Sequence, residues 1–226
     1  MYRRFAAAGS DKPLLDAGCG TGGLLARLAS AYPGKLAVGL DFDRLACRRA
    51  REKSGSPACA GSVNALPFAE QAFGAIFSAD VLCHRGVDEG EALAQFRRCL
   101  GEGGTLILNL PAYRWMMSRH DVAVSNASRY TKRGLLELLR RAGFRPIFAT
   151  YWNMLLFPVM VISRKLLPNR GAADSDVHPY PAAIDLFCRA VTGFERMLLR
   201  CGAPLPFGGS VLAVAVKEAT QGAESA

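Results

Sequence analysis

From Pro13 onward, short apolar runs alternate with longer stretches whose apolar residues recur at three- and four-residue spacing. LLDA (14–17), KLAVGLD (35–41), PACAGS (57–62), FGAIFSAD (73–80), GTLILNLP (104–111) and RPIFATYW (145–152) read as strands. Between them, GLLARLASAY (23–32), DRLACRRAREK (43–53), EALAQFRRCL (91–100) and TKRGLLELLRRAG (131–143) read as amphipathic helices. This alternation predicts parallel crossover units and a sheet covered on both faces. Gly101 and Gly143 follow two of the helices, where a left-handed residue would close the last turn. Ligands of such sheets bind beyond the carboxyl ends of the strands.

After the sixth run the alternation stops. Residues 152–207 are apolar and proline-punctuated, with the helical portion AAIDLFCRAVTGFERMLLRCG, and GGSVLAVAVK (208–217) then reads as a last strand. About 55 residues between two strands is too long for an ordinary connection, and such lengths are usually functional. The most hydrophobic part, MLLFPVMVI (154–162), contains a proline and falls short of the about 20 residues that span a bilayer. Arg164, Lys165 and Arg170 flank it, so 154–170 is a candidate for peripheral membrane contact. EATQGAESA (218–226) lacks large apolar residues and is expected to fray.

Composition narrows the picture. A chain of 226 residues, 50% apolar and 21% charged, suits a single α/β domain with an insertion. The net charge of +9 comes from scattered Lys and Arg residues, which reads as a solvated basic surface rather than a nucleic-acid groove. Seven cysteines without C-x-x-C or a Cys/His cluster argue against a disulfide framework and a structural zinc site. A reducing cytoplasm is the expected compartment, and the first twelve residues carry no apolar signal-peptide core.

The candidate chemistry begins at LLDAGCGTGGLL (14–25), which satisfies two patterns. Gly18, Gly20 and Gly23 spell the G-x-G-x-x-G of dinucleotide-binding sheets, and Asp16, Gly18, Gly20 and Gly22 spell the first motif of S-adenosylmethionine-dependent methyltransferases. Either needs a tight turn at a helix N-terminus, and Asp41, ending the second strand, suits either as the acceptor of ribose hydroxyls. Asp16 discriminates. A carboxylate there repels a pyrophosphate in a partly dry site, but favours a methyl donor that carries a sulfonium and an amino group.

AGSVNALPFAEQAFGAIFSADVLCH (60–84) and FRRCLGEGGTLIL (96–108) continue the same order. They resemble the G-D-A-x-x-L-P-F, D-V-L-E-H and R-x-L-x-P-G-G segments of class I methyltransferases. The resemblance implies a Rossmann-like three-layer α/β sandwich. Its seven-stranded sheet is mostly parallel with an antiparallel last strand, and a helical insertion precedes that strand. It implies S-adenosyl-L-methionine as cofactor, with Asp16, Gly18, Cys19, Gly20, Thr21 and Gly22 around its methionine part and Asp41 on the ribose. Phe42 is expected to pack on the adenine, and Ala79 and Asp80 to line the pocket. Ser62, with the backbone at Val63, stands where the family commonly has the adenine-binding Asp, and Phe73-Gly74 replaces the usual F-D.

NLPAYRWMMSRHDVAVSNASRYTKRGLLELLRRAGF (109–144) is similar to a bacterial small-molecule subgroup of these enzymes. Asn126 and Ser128 depart from that subgroup's His and Arg, and Tyr2, Arg3, Arg4 and Phe5 read as a remnant of its aromatic N-terminal helix. A base is needed only for a hydroxyl or a protonated amine. His120 and His84 are the candidates, with Asp121 to orient an imidazole or bind substrate; the alternatives are a loop cap and a surface turn. Tyr113, Arg129, Tyr130, Tyr151 and Asn153 are candidate acceptor contacts, Arg129 and Tyr130 equally candidate loop anchors. Tyr151, Trp152, Asn153, Phe157 and Pro158 can roof a pocket for a hydrophobic or amphipathic small molecule. No metal is expected. The ADVL sequence, in place of Asn/Asp-Pro-Pro-aromatic, argues against base methylation. Two rivals remain open: a nicotinamide-dependent oxidoreductase and a non-catalytic subunit that binds the cofactor.

Overall fold

A computed structural model describes residues 11–118, 121, 125–165 and 182–218. Seven strands, β1 (Leu14–Ala17), β2 (Ala37–Asp41), β3 (Ala58–Ala60), β4 (Phe73–Ala79), β5 (Leu100–Pro111), β6 (Phe144–Trp152) and β7 (Ser210–Lys217), form one sheet. Their order is β3-β2-β1-β4-β5-β7-β6. β1 to β5 pair in parallel, and β7 inserts antiparallel between β5 and β6. The chain reverses its strand order between β3 and β4, which opens a crevice at the carboxyl ends of β1 and β4.

Alternation of side chains along the strands separates two cores. Leu14, Phe77, Ile107 and Val214 pack with Leu25 and Leu28 of α1 (Gly23–Ala31) and Cys47 and Ala50 of α2 (Arg44–Ser54). Leu15, Ile76, Leu106 and Ala213 pack on the other face with Leu93 and Phe96 of α3 (Glu89–Cys99) and Leu135 and Leu139 of α4 (Lys132–Arg141). Helices therefore cover the sheet on both sides, which makes the three-layer sandwich implied by the sequence.

Local chemistry sets the helix ends. Asp43, Asp88 and Thr131 accept the N–H groups of Leu45, Glu91 and Gly134 at 2.8, 2.9 and 3.1 Å, capping α2, α3 and α4. Gly143 is left-handed at φ 76°, as its position after α4 predicts. Gly101 is not left-handed. Leu100 leaves α3 directly in an extended conformation to begin β5, and the positive φ of 71° falls on Gly103. A register shift between Phe73 and Ala75 of β4 accommodates that turn.

The apolar insertion carries two helices, α5 (Phe157–Lys165) and α6 (Ala182–Arg200). Glu195 of α6 is buried and accepts the Leu155 N–H at 2.7 Å. The loop after α6 is tied to β6, with the Leu205 N–H donating to Thr150 Oγ1 at 2.8 Å. Among the described residues no helix is long and apolar enough to cross a membrane.

Adjacent glycines before β7 do different jobs. A Cβ on Gly208 would lie 2.2 Å from the Trp152 carbonyl oxygen, whereas one on Gly209 would meet only the end of the Met160 side chain at 2.9 Å. Gly208→Ala is therefore expected to cost about 2 kcal/mol and to lower Tm by roughly 4–8 °C. Gly209→Ala should change it much less, and equal shifts in thermal unfolding would contradict the close backbone approach.

Candidate active site

Asp16 lies on β1 beneath the glycine loop, 1% exposed, and its Oδ2 has no hydrogen-bond partner. Burial pushes its carboxyl up to about 7; the Leu25 N–H opposes this rise and Asp41 adds to it. Above it, Gly18, Gly20 and Gly22 take φ values of 84°, 50° and 82°. The N–H groups of Gly18 and Cys19 donate to the Leu40 carbonyl at 2.7 and 2.9 Å, tying the loop to β2. Asp41 closes it from the side: Oδ2 accepts the Gly20 N–H at 2.8 Å and Oδ1 the Asp43 N–H at 3.0 Å.

The three glycines are not equivalent. A Cβ on Gly18 would sit 2.1 Å from Val81 Cγ2, and one on Gly22 would sit 2.6 Å from Ala50 Cα, but a Cβ on Gly20 meets nothing within 4 Å. Gly18 and Gly22 serve packing, and Gly20 faces open space. Gly23, the third glycine of the dinucleotide pattern, takes no part in this packing: it is exposed and its nearest neighbour is the tip of Lys53. α1 has no side-chain N-cap and no acid in its first turn, which keeps its N-terminus electropositive. Thr21 is exposed, and burial, then Asp16, pushes the Cys19 thiol up to about 12, so it is no nucleophile.

Past β2, the Phe42 ring is 86% exposed. Ser62 Oγ accepts the Asn64 N–H at 3.2 Å in a tight turn closed by a Ser62–Ala65 bridge, and Val63 is buried within it. Ala79 ends β4.

Three non-glycine residues with positive φ sit just past three strands: Asp80 after β4, Tyr113 after β5 and Asn153 after β6, at 57°, 59° and 58°. Such backbone is costly and gathers at functional sites. Asp80 opens to the cleft, yet desolvation by the walls raises its carboxyl, with His84 and then Arg129 pulling it back. His84 is half-buried in the turn after β4 and bridged to Asn126. Tyr113 stacks on Tyr151 at 5.2 Å and packs with Phe157 at 5.5 Å and Trp115 at 5.9 Å; Phe157 in turn meets Phe207 at 6.1 Å. These rings make an aromatic wall on the edge of the sheet that carries the glycine loop. Burial, then a hydrogen bond with Tyr151, pushes the Tyr113 phenol up to about 12 and keeps it neutral.

Two of the expected acceptor contacts, and one expected catalytic group, are anchors instead. Asp121 is fully buried, and its Oδ1 takes Nε and Nη2 of Arg129 at 3.0 and 2.8 Å, while Oδ2 takes the Ser118 N–H at 2.8 Å. Burial pulls that carboxyl up, but Arg129 and Ser118 outweigh it and hold it below the ordinary range. Arg129 Nη1 also donates to the Ala112 carbonyl at 2.9 Å. With its acceptors committed, Asp121 does not orient an imidazole. Tyr130 is buried, its hydroxyl bonded to the Leu82 carbonyl and Glu89. Lys132 donates its N–H to the Tyr151 hydroxyl at 3.0 Å. His120 lies outside the described residues, as do Tyr2, Arg3, Arg4, Phe5 and Arg170. Trp115 and Phe207 were not singled out by sequence: nothing in their spacing ties them to Phe157.

This strand order, with a carboxylate that leaves one oxygen unpartnered under a glycine loop, makes a Rossmann-like fold shared with solved methyltransferases. Residues 15–108 match the family described as "Methyltransferase domain". An O-methyltransferase of Penicillium expansum is 30% identical over 154 residues, covering 61% of this chain and 53% of that protein. The chain thus spans about half the length of that curated relative. A Haloferax volcanii methyltransferase solved with the Trm112 methyltransferase activator superposes with a TM-score of 0.63 at 20% identity, over 96% of this chain and 89% of that one. Geranyl diphosphate C-methyltransferase from Streptomyces coelicolor, solved with S-adenosyl-L-homocysteine, gives 0.61 at 16% identity, over 95% and 76%.

S-adenosylmethionine is the cofactor of this domain class, and the residues present fit it. The unpartnered Asp16 oxygen offers an acceptor to an ammonium group, and Gly20 opens a path that a side chain would block. Among the described residues no group of three His, Cys, Asp or Glu is placed to hold a metal. Gly20→Ala should therefore leave Tm within about 2–4 °C, the cost of a left-handed alanine being about 1 kcal/mol, while weakening S-adenosylhomocysteine binding at least about tenfold. Gly22→Ala should unfold at a much lower temperature. The reverse order in paired melting and binding measurements would contradict the assignment of the two glycines.

Proposed function

We propose that the chain transfers a methyl group from S-adenosylmethionine to an oxygen or nitrogen of a small hydrophobic or amphipathic molecule. The observation that carries this reading is the aromatic wall of Tyr113, Tyr151, Phe157, Trp115 and Phe207, on the same sheet edge as the glycine loop. Flat rings hold an apolar acceptor through area and offset stacking. The cofactor, when bound, supplies an electrophilic methyl group already activated by sulfonium charge.

The chain's own residues then bind, orient and manage a proton. Asp16, Gly18, Gly20 and Gly22 hold the methionine end, Asp41 the ribose, and the exposed Phe42 ring, with Ser62 and Val63, the adenine. Ala79 and Asp80 border the reacting methyl group. Much of the acceleration comes from holding the acceptor in line. For a hydroxyl or protonated amine, His84 takes the proton beside Asp80, whose carboxyl responds to the histidine's charge; His120 is the second candidate base. Likeness to an O-methyltransferase supports oxygen as the acceptor atom. Tyr113 and Asn153 direct the acceptor from their strained positions.

The test is calorimetry with S-adenosylhomocysteine and NAD, followed by turnover of S-adenosylmethionine with apolar phenols, hydroxy acids and amines. The expected result is binding of the sulfur compound alone and transfer to at least one class of acceptor, lowered by His84→Ala with cofactor affinity unchanged. NAD binding without the sulfur compound would contradict the reading. Cofactor binding with no turnover across the panel would instead indicate a non-catalytic binding subunit.

A further inference from the structure

One side chain joins the two loops that flank the cofactor cleft. Asn64 Nδ2 donates to the Gly86 carbonyl at 3.0 Å, and Asn64 Oδ1 accepts the Asp88 N–H at 3.1 Å, across 22 and 24 residues of sequence. A planar amide that spends its donor and its acceptor on a single short turn fixes that turn in place. Loop asparagines more often bond backbone within a few residues of themselves. Asn64 reaches across to another loop instead.

Each end of this link belongs to the site. On the near side, the Asn64 N–H donates to Ser62 Oγ at 3.2 Å, and the Gly61 N–H donates to the Asp41 carbonyl at 2.9 Å. The turn proposed to meet adenine is thus tied to the residue proposed to hold the ribose. On the far side, the Val87 N–H donates to the His84 carbonyl at 3.1 Å, and Asp88 Oδ1 caps α3. A separate segment holds the other flank of His84: the Arg85 N–H donates to the Ser125 carbonyl at 3.0 Å, and the Cys83 carbonyl accepts the Ala127 N–H at 2.7 Å. His84 therefore stands between the segment that leads to Arg129 and the turn beside the cofactor, and Asn64 is the link to the second.

Resting on the cofactor placement and the His84 role proposed above, we infer that Asn64 is a positioning residue that couples occupancy of the adenine side to the turn carrying His84. A cofactor that settles residues 61–65 settles the Asn64 amide, and the amide then holds Gly86 and Asp88. Binding of the methyl donor thereby orders the base before an acceptor arrives. Ordering of one loop through another is a coupling between sites, so it is read as a ligand-dependent change at the second loop.

The test is amide hydrogen exchange of the full chain by NMR, free and with saturating S-adenosylhomocysteine, for the unaltered protein, Asn64→Ala and Asn64→Asp. Asn64 lies outside both cores, so both variants should unfold within about 4 °C of the unaltered chain. In the free protein, Asn64→Ala is expected to speed exchange at Val87 and Asp88 at least about tenfold, with Asn64→Asp, which keeps the acceptor, in between. In the unaltered chain the ligand should slow exchange at His84, Val87 and Asp88 as well as at Gly20. In Asn64→Ala the slowing at Gly20 should persist and that at 84–88 should vanish, whereas a residue that only braced its turn would leave it in place. Exchange at Asp88 unaffected by Asn64→Ala would overturn the inference, as would slowing at 84–88 that survives the substitution or is absent from the unaltered chain. Failure of the unaltered chain to bind the ligand would overturn the cofactor placement and the coupling together, and is told apart from loss of the clamp by exchange at Asp88 in the free protein.

Discussion

The desolvation of Asp16 constrains the whole cofactor edge of the sheet. A carboxylate on a central strand, with one oxygen lacking a partner, is costly to ionise, and burial lifts its titration to about 7. Its pKa is higher in the folded chain than the ordinary value of about 3.9. The stabilising effect of keeping it protonated is therefore complete in acid and is lost as the pH rises through about 7. An ammonium group delivered to Oδ2 reverses that loss. The loop above is built to admit one: Gly20 leaves space, Gly22 lets α1 approach α2 closely, and Asp41 fixes the Gly20 N–H from the side.

Rigid support surrounds this opening. Arg129 and Asp121, with side chains 4% and 0% exposed, clamp the segment after β5 to the Ala112 carbonyl. Removing one partner of such a pair costs several kcal/mol because the other is left buried and charged. The clamp holds Tyr113 and, through Tyr130, the turn after β4 that carries His84. The strain at Asp80, Tyr113 and Asn153 is tolerated because the strands and clamps on either side over-determine it.

Much of this was legible in the sequence. Every strand and the four sheet-covering helices follow from periodicity, and the first motif with Asp41 locates the cofactor edge. What was not legible depends on three-dimensional partners. Sequence shows His120 next to Asp121, but not that Arg129, eight residues on, claims the carboxylate first. It shows four glycines in the loop, but not that Gly22 meets Ala50 while Gly23 meets solvent. It shows the stretch of α6 as helical, but not which side faces the protein, and the inward bond from Glu195 to the Leu155 N–H sets that. The left-handed turn fell at Gly103 because β5 starts directly from α3, leaving no residue for a separate helix stop at Gly101.

The most direct test of the account is the titration of Asp16 itself. Its side-chain carbon resonance, assigned with Asp16→Asn, can be followed by NMR in the free chain and with saturating S-adenosylhomocysteine, which carries the amino group. The account requires a midpoint near about 7 in the free chain, falling towards the ordinary carboxylate value of about 4 when the ligand is bound. A free-chain midpoint already near 4, or one near 7 that the ligand leaves unmoved, would contradict it.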